Sequence, residues 1–252
     1  MARQDAGTIV VTGGSRGIGA AVCALAARRG YAVAVNYASD QAAAQRVMRE
    51  IEAAGGRAAA LQGDVAREDE AVRLFETAER TLGQITALVN NAGITGGISR
   101  LESLSAEALR RVLAVNVEGT FFCAREAVRR MSTRNGGRGG AIVNLSSLAA
   151  RLGGSGEWLH YAASKGAVDT FTVGLAREVA REGIRVNAVA PGLIETEIHA
   201  AAGAPDRAER MAPLIPMGRA GTAAEVAETI LWLLSPAASY VTGTIVEVGG
   251  GR

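Results

Sequence analysis

Lysine is almost absent from this chain. Of its 27 Lys and Arg residues only one is a lysine, Lys165. An ammonium kept where arginine otherwise carries the positive charge raises the question of what a guanidinium could not do there. Its neighbours decide whether it is more than a surface charge. Cysteine is nearly as scarce. Cys23 and Cys123 both sit in apolar helical patterns and supply neither a disulfide framework nor metal-ligand spacing. They are expected to be buried small hydrophobes in a reducing compartment, and no metal is expected. No apolar run reaches membrane-spanning length, and Met1–Gly7 lacks the apolar core of a signal peptide. The expected location is therefore cytoplasmic, without a membrane partner. The formal net charge of +2 is too small for a nucleic-acid footprint. Arg125, Arg129, Arg130, Arg134 and Arg138 form a local basic stretch. It is expected to be a solvated helix end, because no aromatics interleave its charges.

What is present is a folding composition with a regular rhythm. Hydrophobic residues make up 48% and charged residues 21%, which excludes a disordered chain. Short runs rich in Val and Ile predict strands at Thr8–Thr12, Ala32–Asn36, Ala58–Gln62, Ala87–Asn90, Ala141–Leu145, Arg185–Ala190 and Thr244–Val248. Helical patterns lie between them, at Gly17–Arg29, Gln41–Ala54, Glu68–Leu82, Ala106–Met131, Leu159–Glu182 and Ala223–Leu234. Gly30, Gly55, Gly83 and Gly183 mark left-handed helix ends, and Thr222 with Glu225 makes a capping box. The alternation predicts one α/β domain over residues 1–252, a Rossmann-like doubly wound parallel sheet with helices on both faces. Pro191–Gly221 carries Pro205, Pro213 and Pro216 but no strong strand signal. Its 193–217 portion is expected to form a substrate loop or lid.

The first strand runs into Thr12-Gly13-Gly14-Ser15-Arg16-Gly17-Ile18-Gly19 and then a helix. Such a turn brings backbone N–H groups and a helix N-terminus to a pyrophosphate. No Gly-Lys-Ser/Thr follows, so a triphosphate P-loop is not expected. The loop also fits the G-x-S-x-G elbow of serine hydrolases at Ser15, with His160 and His199 downstream. That reading fails structurally, since no strand precedes the first one to supply an oxyanion hole. A ribose-binding carboxylate should end the second strand, but Asn36, Tyr37, Ala38 and Ser39 stand there instead. Without that negative charge a 2′-phosphate is not repelled. Arg16 and Ser39 are candidates to hold it, so NADP(H) is expected over NAD(H). Asp40 is the rival carboxylate, read as a helix N-cap.

Tyr161-Ala162-Ala163-Ser164-Lys165 opens a predicted helix and puts a phenol and the lone ammonium on one face. A free tyrosine is too basic for efficient proton transfer near neutrality, and a nearby ammonium favours its phenolate. Ser146-Ser147 lies just past a strand end, where parallel sheets place ligands. With these residues the chain resembles the single-domain short-chain dehydrogenases/reductases over essentially its whole length. The resemblance is carried jointly by the glycine loop, Gly63-Asp64-Val65, Asn90-Asn91-Ala92-Gly93, Asn116, Asn144-Leu145-Ser146-Ser147, Tyr161, Lys165, Pro191-Gly192 and Thr196.

The resemblance implies a seven-stranded sheet and a set of roles. Ser147 would hold the substrate oxygen, Tyr161 would pass the proton, Lys165 would bind the nicotinamide ribose, and Asn116 would support a proton relay. Gly13, Ser15, Arg16, Gly17, Ile18 and Gly19 would cradle the pyrophosphate; Asn36, Tyr37 and Ser39 would face the adenosine ribose. Asp64 and Val65 would contact the adenine, and Asn91, Ala92 and Gly93 would steady the cofactor. Pro191, Gly192, Ile194 and Thr196 would lie by the nicotinamide and diphosphate. Ser147 precedes Tyr161 by one residue more than in many members, the extra residue falling in Gly153–Trp158; Ser147 is chosen over Ser146 as farther from the buried strand. The expected partner is a small carbonyl or alcohol, and the expected assembly a homotetramer or homodimer. A 3-oxoacyl thioester is the first substrate class and a sugar or polyol the second. A non-catalytic cofactor-binding protein and a sugar-nucleotide epimerase are the other readings, the second disfavoured by the chain's length.

Overall fold

The computed structural model describes residues 6–197, 203–204 and 206–252; His199 and Pro205 lie outside them. Seven parallel strands form one sheet: β1 (Thr8–Val11), β2 (Ala32–Tyr37), β3 (Arg57–Gln62), β4 (Ile85–Asn90), β5 (Gly140–Leu145), β6 (Ile184–Pro191) and β9 (Ile245–Val248), in the order β3-β2-β1-β4-β5-β6-β9. The order reverses between β1 and β4, so a crevice opens at their carboxyl ends.

The period of two along each strand divides the core. Ile9, Val11, Val33, Val35, Val89 and Val143 face one layer, packed under α1 (Gly17–Arg28), α2 (Gln41–Ala53) and α9 (Ala223–Leu234). Val10, Ala34, Leu88, Ile142 and Val186 face the other, under α3 (Glu68–Leu82), α5 (Gly119–Met131) and α7 (Leu159–Val179). Both faces of the sheet are thereby removed from water, which is why the strands read as continuous apolar runs. Gly30, Gly55, Gly83 and Gly183 all have positive φ. The Thr222–Glu225 capping box is formed, and Asp40 caps α2 by accepting from Ala43 N–H at 2.9 Å.

Two helical expectations are corrected. The single helix expected over Ala106–Met131 is broken into α4 (Ala106–Leu113) and α5 by a π turn at Ala114–Glu118. Its centre is Asn116, whose side chain is tied to residues outside the helix. The helix expected to Glu182 ends at Val179 and tightens to a 3₁₀ turn before Gly183. The 191–221 region holds a small two-stranded pair, β7 (Ile194–Glu195) with β8 (Gly221–Thr222), and a short helix α8 (Arg207–Met211). A four-residue helix, α6 (Ala149–Leu152), follows β5.

Four of the five arginines of the basic stretch, three on α5 and Arg134 just beyond it, are matched by carboxylates. Arg125 pairs with Glu68, Arg129 and Arg130 with the buried Glu126, and Arg134 with Glu182. Both cysteines are buried; burial pushes the Cys123 thiol up to about 12 and the Cys23 thiol higher still. Among the described residues no helix is long and apolar enough to cross a membrane. Among the same residues no three His, Cys, Asp or Glu side chains are grouped to hold a metal ion.

Candidate active site

The glycine loop after β1 folds as it does because three of its glycines take shapes or approaches that a side chain would block. Gly13 and Gly17 have φ of 59° and 52°. A methyl group on Gly19 would collide with the Gly13 carbonyl oxygen and lie 2.6 Å from Asn91 Nδ2. Gly19→Ala is therefore expected to lower the melting temperature by about 4 °C or more and weaken dinucleotide binding. A thermal melt with and without cofactor checks both. The N-terminus of α1 is left open: Arg16 is the N-cap, no side chain caps the first turn, and no acidic residue lies in it. Uncapped N–H groups above a glycine cradle fit a pyrophosphate. Among the described residues Ser15 makes no hydrogen bond to a histidine; His160 lies on α7, buried against the Gly96 backbone.

At the end of β2 the side chain of Asn36 is turned inward. Asn36 is 1% exposed and its side chain is spent on the protein itself. Its Oδ1 accepts from Gly13 N–H at 3.2 Å, and its Nδ2 donates to the carbonyls of Leu61 and Gly63 at 3.3 and 3.0 Å. Asn36 fastens the glycine loop to the end of β3 rather than offering its amide to a ribose. Tyr37, also buried, ends the strand, and Ala38 and Ser39 are exposed beyond it. Arg16 is exposed and, among the described residues, its guanidinium has no ion pair. Asp40 is committed to capping α2. The sole basic group in this loop is thus free for an anion.

Asp64 accepts from Arg111 at 3.0 Å, while Val65 is buried against Gly119 at the start of α5. Thr12 Oγ1 accepts from the N–H groups of Asn91 and Ala92, both at 3.0 Å, and Asn91 Nδ2 donates to the Thr12 and Gly13 carbonyls at 2.9 Å. These bonds lock the β1 and β4 ends together across the crevice. From the far side Pro191 ends β6 and Gly192 follows it, with Ile194 in β7. Thr196 sits where a methyl on Gly17 would touch its Cγ2 at 3.4 Å. The sequence-predicted cofactor residues therefore gather around one crevice, Asn36 with its side chain turned inward.

The catalytic candidates converge beside it. Asn116, fully buried in the π turn, binds Ile94 twice at 2.9 Å: Oδ1 accepts from N–H and Nδ2 donates to C=O. Nδ2 also donates to Ser164 Oγ at 2.9 Å, and Ser164 in turn donates to the Tyr161 carbonyl at 2.7 Å. Asn116 thus ties the β4–α4 loop to the first turn of α7. A π turn is where such a side chain gains room to do this. Lys165 is 4% exposed, its Nζ donates to Leu145 O at 2.6 Å, and it lies 5.7 Å from the centre of the Tyr161 ring. A methyl on Gly93 would sit 3.4 Å from both Lys165 Nζ and Asn116 Oδ1. Gly93 is the space in which these two groups meet.

The two serines separate cleanly. Ser146 is 3% exposed, and its hydroxyl lies 3.5 Å from the Lys165 carbonyl, against α7. Ser147 accepts from Ala149 N–H at 3.1 Å and acts on the Tyr161 phenol. Burial raises the Tyr161 pKa above the ordinary tyrosine value, and the Ser147 hydroxyl draws it back in part. The expected depression of the phenol by Lys165 is not what dominates here. Burial instead lowers the Lys165 ammonium to about 8, opposed by the Asp169 carboxylate.

Three features had no signal in the sequence. Ser164, inside the Tyr-x-x-x-Lys spacing, is the bridge to Asn116. Asn90, Asn144 and Thr172 form a buried relay across β4, β5 and α7, with steps of 2.9 Å each. Arg207 on α8 donates to both Glu157 oxygens at 2.7 Å and lies 4.3 Å over the Trp158 ring, while Glu157 O accepts from Ser99 N–H at 2.9 Å, which joins α8 to the loop before α7.

A family model described as enoyl-(acyl carrier protein) reductase matches residues 13–252. The chain belongs to the short-chain dehydrogenase/reductase family. Among relatives of this dehydrogenase/reductase, the uncharacterised oxidoreductase YgfF of Escherichia coli is 54% identical, over 96% of this chain and 98% of that protein. The 3beta-hydroxysteroid dehydrogenase 1 of Eggerthella lenta is 42% identical, over 97% of this chain and 92% of its own. A 3-oxoacyl-acyl-carrier-protein reductase of Synechocystis is 40% identical, over 100% and 98%. In fold, a short-chain dehydrogenase of Burkholderia cenocepacia solved in complex with NADP has a TM-score of 0.90 at 32% identity, covering 99% of this chain and 98% of that one. The chain is thus an oxidoreductase of the NAD(P)-dependent short-chain type, in one Rossmann-like sheet.

Proposed function

We propose that this dehydrogenase/reductase interconverts a carbonyl and a secondary alcohol with NADP(H), using Tyr161 as general acid and base. The convergence of Ser147, Tyr161, Lys165 and Asn116 at the carboxyl ends of β4 and β5 carries this reading. Bound NADP(H) supplies the hydride or takes it up. Gly13, Ser15, Arg16, Gly17, Ile18 and Gly19 would hold its phosphates, Asp64 and Val65 its adenine side, and Lys165, Pro191, Gly192, Ile194 and Thr196 its nicotinamide end. Ser147 orients and polarises the substrate oxygen. Tyr161 gives that oxygen its proton in reduction and removes it in oxidation. The Lys165 ammonium favours the tyrosinate left behind. Asn116 fixes the first turn of α7, and with it the direction of Tyr161.

NADP(H) preference is supported by Arg16, which has no ion pair among the described residues, by the commitment of Asp40 to capping α2, and by a neighbour solved with NADP. Arg16→Ala is expected to raise the KM for NADPH about tenfold and change that for NADH less than about threefold. Steady-state kinetics with both cofactors decide it; equal effects on the two would place Arg16 away from the 2′-phosphate.

For the substrate, a 3-oxoacyl thioester is supported by the 40% identical acyl-carrier-protein reductase. An alicyclic 3-hydroxysteroid is the second reading, favoured by the 42% identical relative. Reduction of a short 3-oxoacyl thioester and of a 3-oxosteroid, compared by kcat/KM, separates them; a higher value for the steroid would overturn the first. We place the substrate under the 193–217 lid of this single domain, which is latched by Arg207 and Glu157. A homotetramer is supported by apolar side chains left exposed on the helices. Phe121 on α5, 47% exposed, lies 3.9 Å ring to ring from Phe171 on α7, and Trp232 on α9 is 42% exposed. Cytoplasmic residence accords with two buried, unpaired thiols.

A further inference from the structure

The helix that carries Tyr161 starts without a cap of its own. Trp158 is the N-cap residue of α7, and among the described residues no side-chain hydrogen bond caps the first turn. Leu159, His160 and Tyr161 make up that turn, so whatever fixes its start also fixes the direction of the phenol. The start is held from outside the helix. Glu157 and Trp158 donate their backbone N–H groups to Gly154 O at 3.1 and 2.9 Å, and Trp158 O accepts from Ala162 N–H at 2.9 Å. The side chains of the same two residues are held by Arg207.

Arg207 comes from the 193–217 segment, on α8. Its side chain is 10% exposed, and Nη1 and Nη2 each donate to one Glu157 oxygen at 2.7 Å. Two parallel bonds between a guanidinium and a carboxylate fix direction as well as distance. The same guanidinium covers the Trp158 ring at 4.3 Å. Trp158 Nε1 is buried and, among the described residues, has no hydrogen-bond partner, so the ring is held by its faces. The apolar packing of α8 is slight: among the described residues Ala208 and Met211 rest on three buried side chains, Leu193, Ile215 and Ala220. Arg210, the next arginine on α8, pairs with Asp206 of its own segment at 2.9 Å. With its fork on Glu157 and its face on Trp158, Arg207 is committed to the protein and not to a substrate anion.

We propose that Arg207 is a positioning residue for the reaction: through Glu157 and Trp158 it joins the segment over the substrate to the first turn of α7, so that α8 and Tyr161 keep their places together. The proton transfer by Tyr161 and the placing of the substrate rest on the function proposed above; the coupling through Arg207 goes beyond it. A phenol displaced within the site slows proton transfer, while the glycine loop that would hold the cofactor is untouched.

Trp158 reports the contact directly, because Trp232 is the one other tryptophan of the chain. In a Trp232→Phe background, acrylamide quenching of Trp158 fluorescence should rise about twofold or more on Arg207→Ala, as the ring face under the guanidinium opens. That measurement needs no turnover. In steady-state reduction of a short 3-oxoacyl thioester, Arg207→Ala should lower kcat about tenfold and keep NADPH affinity within about twofold. Glu157→Gln should lower kcat as well, and the double variant should be no more than about twofold worse than Arg207→Ala alone, because both changes break one contact. If Arg207→Ala does not fold, Arg207→Lys is read in the same way, since it keeps the charge and gives up the fork and the stack. A raised KM with kcat unchanged overturns the proposal, because Arg207 would then act on the substrate and not on Tyr161. A lowered melting temperature with kcat unchanged, the mark of a merely structural tie, overturns it too, as do losses that multiply in the double variant. Tyr161→Phe, assayed alongside, separates the two claims. Full activity there would overturn the reaction proposed, whereas an inactive Tyr161→Phe with Trp158 quenching unmoved by Arg207→Ala would overturn the coupling alone.

Discussion

Tyr161→Phe should lower kcat for carbonyl reduction on the order of a thousandfold and leave the dinucleotide bound with nearly unchanged affinity. The substitution removes one hydroxyl from a side chain whose ring lies against Lys165, so packing is preserved. What is lost is the proton donor to the oxygen that Ser147 holds. On the proposed reaction a developing alkoxide must then find its proton from water instead of a positioned donor. The glycine loop, Arg16 and the open N-terminus of α1 are untouched, which is why binding should survive. Stopped-flow reduction together with fluorescence titration of NADPH measures the two effects separately. A loss of binding equal to the loss of rate would place Tyr161 in cofactor recognition and not in proton transfer.

Lys165→Arg should cost about a hundredfold in kcat/KM although it conserves the charge. The ammonium lies 2.6 Å from Leu145 O, in a space bounded by Gly93 and Asn116. A planar guanidinium is larger than that space and must push on β5 or the β4–α4 loop. Overpacking of this kind costs about 1–3 kcal/mol. The pH dependence gives a second signature. Below about pH 8 Lys165 is charged; as pH rises through that value the ammonium is lost, and activity that depends on it falls. Arginine stays charged throughout, so the residual activity of the variant should lack that alkaline limb. The sign for stability is the reverse. Folded Lys165 releases its proton near 8 and the unfolded side chain only near 10.5, so its burial penalty is relieved as pH rises through that window. Near wild-type activity in Lys165→Arg would mean that the site needs only a positive charge.

That contrast also explains the composition. Among the described residues many arginines sit at the surface in ion pairs, where a fork of donors is an advantage, as in Arg219 on Glu225 and Arg125 on Glu68. Lys165 occupies a narrow buried place on the inner face of a helix, which suits a compact ammonium.

How much of this was legible in the sequence follows from the range of the interactions. All seven strands stood within a residue or two of the expected positions, because burial on both faces writes itself as a local run of Val, Ile and Ala. The caps at Asp40 and Thr222 were equally legible, being settled within one turn. The π turn was not. It exists because Asn116 reaches Ile94, 22 residues away, and Ser164, 48 residues away. The inward turn of Asn36 depends on Leu61 in the next strand and Gly63 just beyond it. The ion pair of Arg207 with Glu157 spans 50 residues. The choice between Ser146 and Ser147 was a matter of direction: consecutive residues past a strand end point to different sides, and only the packing of α7 shows which side holds Tyr161. The balance at Tyr161 was likewise invisible, since spacing places the lysine near the phenol but does not measure how far burial opposes it.

Transfer of deuterium tests the central claim most directly. The enzyme would be supplied with NADPH deuterated on one face of the nicotinamide C4 position and a short 3-oxoacyl thioester, and the product examined by mass spectrometry and NMR. Deuterium on the carbinol carbon, from one face only and absent from the Tyr161→Phe reaction, is the expected result. Deuterium retained in the cofactor while the thioester is consumed, or equal product formation by Tyr161→Phe, would contradict hydride transfer at this site.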